Sequence, residues 1–107
     1  MMKISSKKSR GGRLITLDGD MTIYQVADIK MQLLPILVKA GDIEIDLSRV
    51  NEMDGAGLQI LMMIKRELTR RGDNLQLSAH SRAVLDVFEL CNLANYFGDP
   101  LLIPTAS

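Results

Sequence analysis

The chain has 107 residues, 47% hydrophobic and 24% charged, the balance of one globular domain and too little for two. Its 13 basic and 13 acidic residues cancel, yet five bases and no acid fall within residues 1–13, so the remainder carries a net −5. A neutral total with an acidic body argues against nucleic acid as a partner. One cysteine, Cys91, excludes an internal disulfide and suits a reducing, cytoplasmic setting. No apolar run approaches the length of a membrane span, so the chain is not expected to be an integral membrane protein.

In chain order, MMKISSKKSRGG (residues 1–12) reads as a flexible basic tail ahead of a folded domain at 13–107. A basic start with no apolar core behind it is not a secretory signal. RLITLDGDMTI follows as two short extended pieces, broken at Asp18-Gly19-Asp20 by turn-forming residues. From Tyr24 to Lys39 the period changes, with Val26, Ile29, Leu33 and Leu37 at helical spacing. Pro35 inside this pattern removes the backbone bond to Met31, which predicts a kink or an early stop. Gly41 closes the segment.

DIEIDLS is the clearest strand, with Ile43, Ile45 and Leu47 on one side and Glu44 and Asp46 on the other. NLQLSA repeats the alternation with Leu75 and Leu77 against Gln76 and Ser78. Strands that alternate bury one face, whereas a sheet covered on both sides reads as continuous apolar runs. The expected fold class is therefore α/β, a single domain with a small mixed β-sheet and helices packed on one face. Between these strands a helix is expected over 56–71, with Leu58, Leu61, Met62 and Leu68 inward and Ile60 and Ile64 widening the stripe. Lys65, Arg66, Arg70 and Arg71 suit its C-terminal dipole end. A last helix near 81–91 carries Val84, Val87, Phe88 and Cys91 on one face, with Ser81 as N-cap. NLANYFGDPLLIP reads as a further helical turn and an extended end.

Catalytic residues are not expected. His80 follows the NLQLSA strand, and the adjacent Ser78 and Ser81 are too near in sequence to form a nucleophile–base pair with it. One His and one Cys cannot supply a metal site of three or four soft ligands. No phosphate-binding G-x-x-x-x-G-K-[ST] run exists, and no cofactor is implied. What remains is Asp54-Gly55-Ala56-Gly57-Leu58, a loop feeding a helix N-terminus. Free N–H groups gather there, Asp54 suits the N-cap, and the glycines allow close approach of another backbone.

Three stretches in order, LDGDMTI, IEIDLSRVNEMDGAGLQIL and RRGDNLQLSAHSRAVLDVFELCNL, resemble a STAS domain, the family of bacterial anti-sigma factor antagonists. The resemblance spans about Arg13 to Pro104. Family members have a strand ending D-L-S, a loop ending D-S-S-G or D-T-A-G, and a helix opening on Leu. It implies a non-catalytic signalling module in transcription regulation, with Asp54, Gly55, Ala56, Gly57 and Leu58 as the partner-binding residues. The implied partner is an anti-sigma factor or a switch kinase. In regulated members the residue after the loop aspartate is a Ser or Thr that a partner kinase phosphorylates. Gly55 stands there in this chain, so no phosphorylation is expected at that position. The D-x-A-G-L pattern also resembles the small STAS subunit of phospholipid transporters, which docks on an ATPase. A nucleotide or lipid sensor is a further alternative.

Overall fold

A computed structural model describes residues 2–9, 11–39 and 41–91, in the order β1 (Lys3–Ser9), β2 (Gly12–Met21), α1 (Val26–Lys39), β3 (Asp42–Met53), α2 (Gly55–Arg71), β4 (Leu75–Ser78) and α3 (Arg82–Cys91). The strands lie in the order β1-β2-β3-β4. β1 runs antiparallel to β2, and β2, β3 and β4 are mutually parallel, so α1 and α2 are the crossovers between parallel neighbours.

Register explains which side chains are inside. Ile15 pairs with Ile45 and Ile45 with Leu77, which aligns one apolar row across β2, β3 and β4, and Ile4 of β1 pairs with Leu17, two residues further along β2 on the same face. Ile15, Leu17, Ile43, Ile45, Leu47 and Leu77 are buried in one cluster with residues of all three helices, including Leu33, Ile64 and Phe88. Leu75, expected in the same row, is only half-buried because it opens the short edge strand β4. On the opposite side Gln76 is exposed, and Glu44 and Asp46 are half-exposed.

Four expectations are corrected. The tail expected at 1–12 contains an edge strand. Lys3–Ser9 pairs along its length with β2, and Met2 is buried. The two pieces expected in RLITLDGDMTI are one strand with register shifts at Thr16/Asp18 and Gly19/Asp20. Gly19, at φ 137°, takes a backbone angle that side chains disfavour and so absorbs the irregularity. Pro35 does not stop α1, which continues to Lys39 with the ring on an exposed side. Finally, the strand expected at DIEIDLS is longer, since β3 runs on to Met53, with Val50 buried and pairing with Gly19.

Helix ends follow their sequence signals. Gly72 adopts a left-handed conformation (φ 83°) after α2, and the N–H groups of Gly72 and Asp73 donate to Thr69 and Leu68. Arg71 donates to the Leu37 carbonyl at 2.7 Å, tying the end of α1 to the end of α2. The Ser81 hydroxyl accepts the Val84 N–H at the start of α3. The expectations for 92–107, and for the Cys91 side chain, fall outside the described residues.

Candidate functional site

The turn from β3 into α2 is organised by one carboxylate. Asp54 has extended backbone angles and stands at the N-cap, where its Oδ1 accepts the N–H groups of Ala56 (2.9 Å) and Gly57 (3.2 Å). Its Oδ2 accepts the N–H of Ile23 at 3.0 Å, from the turn that leads into α1. The Asp54 N–H in turn donates to the Met21 carbonyl. Two sequence-distant turns are thereby joined at one residue. The Asp54 pKa is lowered, chiefly by the Ile23 N–H and then by Gly57 and Ala56, with partial burial opposing them.

The five residues expected to bind a partner differ in exposure. Gly55 is exposed, Asp54 and Ala56 are half-buried, and Gly57 and Leu58 are buried. The two glycines have separate roles. A Cβ on Gly57 would lie 2.1 Å from the Met21 carbonyl oxygen, so glycine there lets α2 approach β2. A Cβ on Gly55 would meet nothing within 4 Å, and Gly55 is not among the residues with positive φ. A side chain at position 55 would therefore point into open space without backbone strain.

Ile23 and Tyr24 stand beside this turn and are 64% and 89% exposed, more than large apolar side chains in a packed core would be. Sequence reading did not single them out, because they fall between a strand and a helix with no periodic signal. Next to them, a groove of ≈ 460 Å³ runs between α1 and α2 and includes Ala56 in its lining.

Other residues noted in the sequence make local contacts. His80 packs edge-on against Phe88, with ring centroids 5.6 Å apart. Ser48 donates from both its N–H and its hydroxyl to Asp46, forming a local turn of the strand. Among the described residues no group of His, Cys, Asp and Glu has the arrangement of a metal site, and no helix is long and apolar enough to cross a membrane.

A family model described as "Mlab, STAS domain" matches residues 5–104. The anti-sigma-B factor antagonist of Bacillus subtilis is 21% identical over 92 residues, 86% of this chain and 84% of that protein. An anti-sigma factor antagonist from Mycobacterium paratuberculosis has a similar structure, with a TM-score of 0.81, 18% identity, and coverage of 95% of this chain and 88% of that one. The Bacillus cell fate determinant SpoIIAA in its phosphorylated form matches with a TM-score of 0.67, 19% identity, and coverage of 95% and 93%.

Proposed function

The chain belongs to the STAS domain family, and from that premise we propose that it is a non-catalytic docking module of the anti-sigma factor antagonist type. It binds an anti-sigma factor or switch-kinase-type regulator through the turn at Asp54, Gly55 and Ala56, with Gly57 and Leu58 supporting that turn from beneath. The observation that carries this reading is the exposed start of α2, held in one geometry by both oxygens of Asp54. A rigid, slim turn costs little ordering entropy on docking.

In this reading Gly55 takes the place of the family's phosphoacceptor and removes phospho-control there. Phosphate would add about two negative charges beside Asp54, and glycine carries no hydroxyl to receive it. The turn is kept in the form of the unphosphorylated state. The Asp54-Gly55-Ala56-Gly57-Leu58 pattern also favours a second reading, a STAS subunit that docks on a transporter ATPase through the same turn.

A photo-crosslinking residue placed at position 55 in the source cells tests both readings, because the open space there admits the side chain. An adduct with an anti-sigma factor or kinase-like regulator supports the first. An adduct with an ATPase subunit selects the second. Absence of any protein adduct in a folded variant contradicts both.

A further inference from the structure

The groove between α1 and α2 has a chemical character of its own. Its apolar surface comes from half-buried Val26 of α1, from Met62 and Met63 of α2, and from exposed Ile23 at one end, while Ile60 beneath them is buried. Met62 and Met63 are half-buried, and the flexible thioether lets methionine mould to differing partners. Two cations border it, Lys30 from α1 and Arg66 from α2, both exposed, and no carboxylate lies among the lining residues. Ala56 belongs to both the groove and the Asp54 turn, so the two surfaces are continuous.

We propose that this groove receives an amphipathic helix of the partner, with apolar anchors on Val26, Met62 and Met63 and acidic flanks facing Lys30 and Arg66. The inference rests on the docking reading above and adds the chemistry of what docks. An apolar channel between two helices accepts a third through anchors at i, i+3 and i+7. The paired cations without an opposing acid then select the sign of its flanks, because a basic helix would meet like charge at both walls.

The probe is a display library of helical peptides of about 16 residues, with Leu fixed at i, i+3 and i+7 and the flanks randomised over Glu, Lys and Gln. Selection on the full chain is expected to enrich Glu, and the best clone to shift the amide signals of Ile23, Val26, Ala56 and Met63. Its Kd is expected to rise roughly tenfold in Lys30→Glu/Arg66→Glu. Both substitutions lie on exposed side chains, so unchanged melting verifies the fold. Failure to select any clone, equal enrichment of Lys, or shifts on another face would overturn the proposal.

Two other occupants give distinct contrary results. A wild-type dimer that becomes a monomer in the double variant assigns the groove to a second copy. Co-sedimentation with phosphatidylglycerol/phosphatidylcholine vesicles, lost in the double variant, assigns it to a lipid surface. Failure of the groove is separable from failure of the turn, since Gly55 does not line the groove. Gly55→Asp reports on the turn, and Lys30→Glu/Arg66→Glu reports on the groove.

Discussion

The Asp54 carboxylate accepts the backbone N–H of Ile23 at 3.0 Å, across 31 positions of chain. The same side chain caps α2 through its other oxygen. The turn before α1 and the turn before α2 are therefore fastened together, with exposed Ile23 held at Asp54 and exposed Tyr24 next to it in the chain. Sequence supplies the cap, and tertiary folding adds the clasp.

Removing the clasp should cost stability in graded fashion. Asp54→Ala loses the cap and the Ile23 bond together, and the cap alone is worth about 0.5–2 kcal/mol. Asp54→Asn keeps a capping oxygen, but its amide NH₂ would then oppose the Ile23 N–H. Urea denaturation should rank wild type above Asn and Asn above Ala. Equal stabilities would mean that the carboxylate holds nothing.

The lowered Asp54 pKa gives this contribution a pH window. The ionised form is favoured by folding, so its stabilisation is complete above the ordinary carboxylate value of 3.8. It is lost as pH falls through the lower folded value. Compared by urea melts, the advantage of wild type over Asp54→Asn should shrink only in that acidic range. An advantage that grew on acidification would contradict the assignment.

The two glycines of the turn should respond oppositely to one methyl group. Gly57→Ala drives a Cβ into the Met21 carbonyl and should destabilise by about 1–3 kcal/mol. Gly55→Ala meets open space at a helix start and should be neutral or stabilising by up to about 1 kcal/mol. Thermal melts of the pair check this directly. A Gly55→Ala loss as large as that of Gly57→Ala would show that position 55 is constrained after all.

Leu47 lies fully buried near the end of the sheet's apolar row. Truncation to Ala should leave a cavity and cost about 2–5 kcal/mol in denaturant unfolding. A loss below 1 kcal/mol would argue against a shared core under the sheet.

Much of this fold could be read from alternation and helical spacing, and the exceptions have physical causes. Ile43, Ile45 and Leu47 alternate clearly because β3 buries one side. β1 escaped notice because Ile4 is the one large apolar residue within it, and its pairing comes from backbone bonds to β2 rather than from a hydrophobic pattern. The continuation of β3 through Met53 was similarly hidden, since its polar residues face outward around a single buried Val50. At the site, the Asp54 cap was visible in sequence. Its bond to Ile23 and the fit of Gly57 against Met21 are contacts between distant segments that no local signal encodes.

The central claim is that the partner docks on the Asp54–Ala56 turn in a manner independent of phosphorylation. The most direct measurement is the partner's affinity for wild type and for Gly55→Asp, by calorimetry, with equal melting temperatures shown first. The added carboxylate projects into open space beside Asp54 and should leave the fold intact. It mimics part of the charge that phosphate would bring, and binding should weaken by roughly tenfold or more. Equal affinities for the two proteins would place the docking surface elsewhere and leave the turn a structural cap.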